Sequence, residues 1–170
     1  MPLALIIIIV TISVIACNTE SDINMSRATN FELTDANGQT VALVDFRNSY
    51  EKTVLLFYRG HFWGICQRQL VELQNSYAKF KKQNIGLIAV SMDTVDEAAY
   101  TKLITKAEYP LLSDPTGLVI KAYGVYDLLG DGVATPSVFI IRSDGSISWS
   151  YIAKDIKDRP TTDEILNHIE

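Results

Sequence analysis

The sequence predicts an α/β fold in which a mixed central sheet is flanked by helices. Two apolar runs, residues 53–58 and 85–92, have the composition of strands that are buried on both faces. A helical pattern follows each run, which is the alternation typical of parallel strands. Residues 137–152 have the pattern of an antiparallel hairpin that turns on Asp144 and Gly145. Parallel strands continued by such a hairpin predict a mixed sheet with helices on both faces.

The other elements are predicted from local signals in chain order. Apolar residues recur at helical spacing over residues 70–80, and Thr94 and Glu97 have the spacing of a capping box at a helix start. The full set is an N-terminal hairpin within 31–46 that turns on Asn37–Gly38, a helix over 70–80, a helix over 94–107, a short strand over 110–114, a helix over 115–124 and a terminal helix over 161–170.

The first 17 residues carry no charged side chain and form a segment of their own. As a helix, residues 3–16 would extend about 21 Å, which is shorter than a bilayer core of about 30 Å. The segment ends in VIAC and resembles the lipobox of bacterial lipoprotein signals. The resemblance implies that Cys17 is lipidated and anchors the protein to a membrane, on the extracytoplasmic side of the cell envelope. We expect a signal peptide at 1–17, a polar tether at 18–29 and one domain at 30–170.

Charge and cysteine content exclude several classes of function. The chain has 15 Lys and Arg against 20 Asp and Glu, a net charge of −5, which argues against nucleic acid as a partner. If lipid occupies Cys17, Cys66 is left without a partner for an internal disulfide. A soft-metal site needs paired cysteines with histidine, so we expect neither a metal nor a cofactor.

Six segments of the domain resemble, in order and in spacing, the peroxiredoxins of the alkyl hydroperoxide reductase and thiol-specific antioxidant family. They are FELTDANGQTVAL, VLLFYRG, SMDTVDEA, LLSDPTGLVIKAYGV, TPSVFIIRSDGSI and DRPTTDEIL. The resemblance implies a thioredoxin-like fold and a thiol peroxidase whose substrate is a peroxide. Within the family, the chain is most similar to a redoxin subgroup with the site loop R-G-x-W-C-x-x-C.

The resemblance assigns roles to residues of the site loop and of the later strand. Cys66 falls at the position of the peroxidatic cysteine, and Trp63 stands where the subgroup has its first cysteine. Pro136, after Thr135, matches the cis-proline of thioredoxins that faces the active cysteine. Ordinary peroxiredoxins have a threonine at position 63 and an arginine near Thr135, and both are absent here.

The chemistry of Cys66 requires a thiolate, since only the thiolate attacks a peroxide. A free thiol is about 3% ionised at pH 7, and a helix N-terminus contributes only about 0.3–1 kcal/mol. A cation must therefore help. We expect Arg59 to supply it, with Arg142 in reserve, whereas Arg68 points to another face of its helix.

Four further residues are expected to form the substrate-binding part of the site: His61, Trp63, Thr135 and Pro136. His61 could stabilise the thiolate as an imidazolium or act as a general base, and the alternative is a plain exposed loop residue. Trp63 is expected to cover the site.

Three functions remain open at this point. A peroxidase with one cysteine would be recycled by an external thiol such as a thioredoxin-like protein, or would form a homodimer through a Cys66–Cys66 link. A disulfide reductase with two thiols is excluded by the sequence of residues 63–66, although slow monothiol exchange is not. The third is a lipid-tethered redoxin domain without catalysis, which would tolerate the change Cys66→Ser.

Overall fold

The computed structural model describes residues 26–169 of the chain. Within them, strands and helices alternate as predicted. The elements are β1 (Glu32–Asp35), β2 (Thr40–Ala42), α1 (Leu43–Asn48), β3 (Lys52–Phe57), α2 (Gly64–Asn75), α3 (Tyr77–Lys82), β4 (Ile85–Ser91), α4 (Val95–Thr105), β5 (Leu111–Ser113), α5 (Leu118–Ala122), β6 (Ser137–Arg142), β7 (Ile147–Ile152) and α6 (Thr162–Asn167).

The seven strands form one mixed sheet in the order β2-β1-β5-β4-β3-β6-β7. The three central strands, β5, β4 and β3, run parallel to one another. On one side β1 pairs antiparallel with β5 and β2 with β1, and on the other side β6 pairs antiparallel with β3 and β7 with β6. The predicted mixed sheet and both predicted hairpins are therefore confirmed. The hairpin of β6 and β7 extends the sheet beyond β3, so β3 lies between a parallel and an antiparallel partner.

Helices cover both faces of the sheet, which explains the continuous apolar runs in β3 and β4. Val54 and Leu56 point to the face that packs against α2, α3, α4 and α6. Leu55 and Phe57 point to the other face, where Leu43 of α1 contributes to a second core together with residues of α5. Alternate residues of one strand thus enter two different cores, and neither face is left polar.

Two departures from the prediction change the type or the continuity of an element, and the other differences only shift the ends of helices or strands. Residues 43–46 were expected to extend the N-terminal hairpin, but α1 begins at Leu43 because Leu43 and Phe46, three positions apart, both pack on the second core. The helix expected over 70–80 is split at Ser76, whose N–H lies 3.3 Å from the carbonyl of Glu72 and 3.2 Å from that of Leu73. This bifurcated bond ends α2 at the cap residue Ser76, and α3 begins at the next residue, Tyr77.

The predicted capping box of α4 is confirmed. The N–H of Glu97 donates to Thr94 Oγ1 at 3.3 Å, and the N–H of Thr94 donates to Glu97 Oε2 at 2.8 Å. This reciprocal pair fixes the helix start directly after β4, beside the end of the central sheet.

The predicted signal peptide and lipidation site at Cys17 lie outside the described residues, as does most of the predicted tether. They stay predictions. Between residues 26 and 169, no helix has both the length and the apolar character needed to cross a bilayer.

Candidate active site

The candidate site lies at the edge of the sheet where the parallel strands β3 and β4 end. Residues 58–63 follow β3, and Asp93 follows β4, so both loops emerge side by side. Ser137 of β6 pairs with Phe57 in the antiparallel register, which brings Thr135 and Pro136 to the same edge. Loops beyond the carboxyl ends of parallel strands are the usual place for a site in this class of fold.

Cys66 is the third residue of α2 and is completely buried. Trp63, the N-cap residue of α2, makes no side-chain cap, and the first turn of this helix contains no acidic residue. The N-terminal N–H groups therefore meet no carboxylate of their own helix. Such a terminus favours a negative charge on a nearby group such as the Cys66 sulfur.

An arginine that the sequence analysis did not single out contacts this sulfur. Arg159 lies just before α6, and its Nη2 donates to Cys66 Sγ at 3.6 Å. Its Nε is buried without a hydrogen-bond partner among the described residues. A hydrogen bond from a guanidinium is stronger to a thiolate than to a neutral thiol.

Residues 153–161, here named the Arg159 loop, are fixed by bonds around one carboxylate. Asp158 accepts hydrogen bonds from the Tyr151 hydroxyl and from the Lys154 N–H, the latter at 2.8 Å. The bond to Asp158 is the main cause that raises the pKa of Tyr151 to about 12, and it also lowers the pKa of Asp158. At the start of the loop, Ala153 N–H donates to the carbonyl of Pro136 at 2.9 Å.

Arg59 has other partners in the structure. Its side chain is 3% exposed, forms an ion pair with Asp131, and lies over the ring of Trp63 with 3.8 Å between guanidinium carbon and ring centroid. Among the described residues, the guanidinium that donates a hydrogen bond to the Cys66 sulfur belongs to Arg159 and not to Arg59. The proposed role of Arg59 as the cation that assists Cys66 therefore stays a prediction.

The reserve prediction, Arg142, is wrong. Arg142 pairs with Lys52 at the start of β3, whereas Cys66 follows the end of that strand. The antiparallel register therefore places Arg142 at the opposite edge of the sheet, about 17 Å away along β3. Arg68 is exposed on α2, away from the buried Cys66, as expected.

His61 is held by Asp93. Its Nδ1 lies 3.0 Å from Asp93 Oδ1, and its backbone N–H donates to the same oxygen at 3.0 Å. Its carbonyl accepts a bond of 2.5 Å from Gln67 Nε2 of α2. Gly60, with φ +142°, allows this approach, because a Cβ at that position would lie 2.9 Å from Asp93 Oδ1. These contacts fix the loop between β3 and α2.

Tyr58 completes the buried side of the site. Its side chain is fully buried, and its hydroxyl has no hydrogen-bond partner that meets normal geometry among the described residues. Burial is the main cause that raises the pKa of Tyr58, and the negative charge of Asp93 raises it further. Tyr58 therefore stays protonated at any physiological pH.

Thr135 and Pro136 lie at the same edge of the sheet as Cys66, as predicted, but the Thr135 hydroxyl has a hydrogen-bond partner in its own loop. It accepts the Leu128 N–H at 3.0 Å and so closes its own loop. Every peptide bond from residue 26 to 169, the one before Pro136 included, is trans, whereas the resemblance implied a cis bond. Pro136 acts in the structure as the anchor of Ala153 at the start of the Arg159 loop.

The site therefore combines one buried thiol, one uncapped helix terminus and one guanidinium. Cys66, Trp63 and Tyr58 pack in the same core cluster, while His61 and Arg59 are each held by a carboxylate. Complete burial of Cys66 also means that a Cys66–Cys66 link between two chains would require this packing to open.

Comparisons with known proteins place this geometry in a family. Alkyl hydroperoxide reductase C of Staphylococcus epidermidis is 33% identical over 115 residues, which are 65% of this chain and 59% of that protein. The chain thus spans less than two thirds of that relative. The thiol-disulfide oxidoreductase ResA of Bacillus cereus is 28% identical over 146 residues, which are 84% of this chain and 75% of that protein.

A solved structure agrees with the described fold. The crystal structure of peroxidoxin BcpB from Mycobacterium tuberculosis superposes with a TM-score of 0.76 at 25% identity, covering 84% of this chain and 93% of that one. The thioredoxin-like fold expected from the sequence is therefore confirmed. Residues 25–150 match the AhpC/TSA family, and the chain belongs to that family.

Proposed function

We propose that the protein is a thiol peroxidase that reduces hydrogen peroxide or alkyl hydroperoxides through Cys66. The observation that carries this proposal is the hydrogen bond from Arg159 to the Cys66 sulfur at the uncapped start of α2. Membership of the AhpC/TSA family supports the same class of reaction.

The proposed reaction begins with the Cys66 thiolate. Its sulfur attacks one peroxide oxygen, the O–O bond breaks, and the other oxygen leaves as water or an alcohol after it takes up a proton. Cysteine is oxidised by two electrons to the sulfenic acid, and the peroxide is reduced by two. Arg159, beside the sulfur, would also stabilise negative charge on the leaving oxygen.

An external thiol would restore Cys66. A first thiol condenses with the sulfenic acid, which releases water and leaves a mixed disulfide. A second thiol attacks that disulfide and frees the Cys66 thiol. Because Cys66 is the only cysteine between residues 26 and 169, we propose a small thiol or a thioredoxin-like protein as reductant.

Location is a separate part of the proposal. The VIAC sequence that ends at Cys17 supports lipid attachment there, which would hold the domain at the extracytoplasmic face of a membrane in the cell envelope. Mass spectrometry of the chain expressed in a bacterium that processes lipoproteins tests this. A diacylglyceryl group on an N-terminal Cys17 is expected, and an unmodified leader would contradict it.

A second candidate is a redoxin domain without catalysis, and one observation favours it. The Cys66 side chain is completely buried, which is typical of an unreactive cysteine in a hydrophobic core. In that case the protein would bind a partner, and Cys66→Ser would leave binding intact.

One experiment separates these two candidates. The full chain with Cys17→Ser is treated with substoichiometric hydrogen peroxide and a sulfenic-acid trap, and is then weighed beside the same chain with Cys66→Ser. A peroxidase gives one adduct on Cys66 at a rate far above that of free cysteine. A rate no higher than that of free cysteine would sink the enzyme proposal and leave the binding domain.

A further inference from the structure

Three potential metal ligands that lie apart in the sequence meet beside the candidate site. Single ligand atoms of His61, Asp93 and Glu97 all lie within 4.8 Å of one another. His61 belongs to the loop after β3, Asp93 follows the parallel neighbour β4, and Glu97 is in the first turn of α4. We propose that this cluster, here named the His61 cluster, binds one divalent ion of a first-row transition metal.

The distances suit a small cation. His61 Nδ1 lies 3.0 Å from Asp93 Oδ1 and 3.7 Å from Glu97 Oε1. A metal with bonds of about 2.0–2.2 Å to nitrogen and oxygen separates its ligands by about 3.0–3.6 Å. An ion bound here would take the place of the hydrogen bond between the His61 ring and Asp93, and Glu97 would move slightly closer to His61.

Both carboxylates are already oriented by neighbours. Asp93 Oδ2 accepts the Ser91 hydroxyl at 2.9 Å. Glu97 Oε2 accepts the N–H and the hydroxyl of Thr94, at 2.8 and 2.9 Å, which leaves Oε1 turned toward His61. Outer hydrogen bonds of this kind fix the oxygen that faces a metal.

Among residues 26–169, His61 is the only basic side chain within 4 Å of the Asp93 carboxylate. Asp93 is 5% exposed, and no lysine or arginine nitrogen among residues 26–169 lies within 4 Å of its carboxylate. Glu97 adds a second negative charge next to it. Buried carboxylates in proteins are paired with a cation or coordinate a metal. A divalent ion would balance both charges.

An independent observation comes from the buried side of the cluster. The fully buried Tyr58 hydroxyl lies beside the side chains of Ser91 and Asp93, but among the described residues it forms no hydrogen bond of normal geometry. Buried polar groups normally have a partner, often an ordered water. A water bound to the metal would supply that partner.

The donor set defines the class of metal. One imidazole nitrogen and two carboxylate oxygens suit Zn²⁺, Fe²⁺ or Mn²⁺. Mg²⁺ and Ca²⁺ favour sites made of oxygen alone, and Cu⁺ favours sulfur. The proposal does not depend on peroxidase activity, because Cys66 is not one of the three ligands.

The test is calorimetric titration of the full chain with ZnCl₂ and, separately, MnCl₂. Both cysteines are replaced by serine so that thiols cannot bind zinc. We expect one Zn²⁺ per chain with a dissociation constant below about 10 µM. Loss of one ligand in His61→Ala, or of one charge in Glu97→Gln, is expected to weaken binding roughly 10- to 100-fold. Glutamine at position 97 can still complete the cap of α4.

Matched controls keep the outcome interpretable. His168→Ala removes the other histidine of the chain, which stacks on Trp149, and Glu108→Gln removes an exposed carboxylate that pairs with Lys81. Neither should change zinc affinity. Circular dichroism confirms that each variant is folded, and zinc should raise the melting temperature of the parent but not of His61→Ala. Absence of saturable binding, or equal binding by His61→Ala and the parent, would overturn the proposal.

Discussion

Arg159 places its Nη2 atom 3.6 Å from the Sγ of Cys66, although 93 residues separate them in the chain. A hydrogen bond to a charged group is worth about 1.5–3 kcal/mol, and about 1.4 kcal/mol is tenfold in a rate. Arg159→Ala should therefore slow sulfenic-acid formation at Cys66 roughly 10- to 100-fold at pH 7. Arg159→Lys should recover only part of the rate, because lysine lacks the planar fork.

The measurement is the pseudo-first-order rate of trap adduct formation, followed by mass spectrometry. Arg68→Ala is the matched control, since Arg68 is close in sequence but exposed on α2. It should leave the rate within about twofold of the parent, as distant exposed charges are screened. An Arg159→Ala variant as fast as the parent would remove Arg159 from the mechanism.

The position of the Cys66 thiol at a helix start was easier to predict from the sequence than the residues that surround it. Cys66 could be found because its spacing from a strand and from a helix start is local. Arg159 could not, since its distance from Cys66 depends on how the loop between β7 and α6 folds back over the sheet edge. The sequence near Arg159 showed only that this residue and Pro160 stand directly before a helix start at the N-cap residue Thr161. Asp131, which pairs with Arg59, carried no such signal.

The hydrogen bond between Tyr151 and Asp158 predicts a loss of stability in alkali. It is the main cause that raises the pKa of Tyr151 to about 12 in the folded protein, against about 10 unfolded. Below pH 10 both states keep the proton, so the contribution is complete. Between about pH 10 and 12 the unfolded state loses its proton first, and the contribution disappears as pH rises.

The check is urea unfolding of the parent and of Tyr151→Phe at several pH values from 8 to 12. The difference between their free energies of unfolding should be constant up to about pH 10 and shrink above it. Tyr100→Phe, at an exposed tyrosine of α4, should show no such change. A difference that does not depend on pH would mean that the bond to Asp158 is not formed in solution.

The ion pair of Arg59 with Asp131 should matter more for stability than an exposed pair. Arg59 is 3% exposed, and its Nε and Nη1 have no partner among the described residues. Asp131→Asn leaves a buried guanidinium without its counter-charge, which should lower the free energy of unfolding by about 1–3 kcal/mol. The loss is smaller than for a fully buried pair because Asp131 is partly exposed. Glu108→Gln breaks an exposed pair with Lys81 and should cost less than about 0.5 kcal/mol.

Chemical denaturation measures both variants. Equal costs for Asp131→Asn and Glu108→Gln would show that the Arg59 pair is solvated in solution. Trapping rates measured in parallel show whether this pair also affects Cys66, which is the remaining test of the predicted role of Arg59.

The fold itself was accessible from sequence wherever the signal was local and repeated. Strand β4 and the cap of α4 at Thr94 were predicted within one residue, because apolar periodicity and capping chemistry act over a few positions. The boundary at Leu43 was missed because the apolar residues from Val41 to Phe46 also suit a strand, whereas Leu43 and Phe46 share a face only in a helix. Packing on the second core decides between them.

Two glycines of the site loop offer a sharp test of this geometry. Gly60 has φ +142°, and a Cβ there would lie 2.9 Å from Asp93 Oδ1, inside contact distance. Gly60→Ala should cost about 1–3 kcal/mol of stability, through backbone strain and through displacement of the carboxylate that holds His61. Slower trapping at Cys66 should accompany this loss, because the same loop leads into α2.

Gly64→Ala is the matched control, four residues away at the first position of α2. A Cβ at Gly64 meets nothing within 4 Å, and alanine favours a helix, so stability should stay within about 0.5 kcal/mol of the parent or rise slightly. Urea unfolding and the trapping rate are measured for both variants. If Gly60→Ala is as stable and as reactive as Gly64→Ala, the close approach of the loop to Asp93 does not occur in solution. The placement of His61 beside that carboxylate would then have to be abandoned.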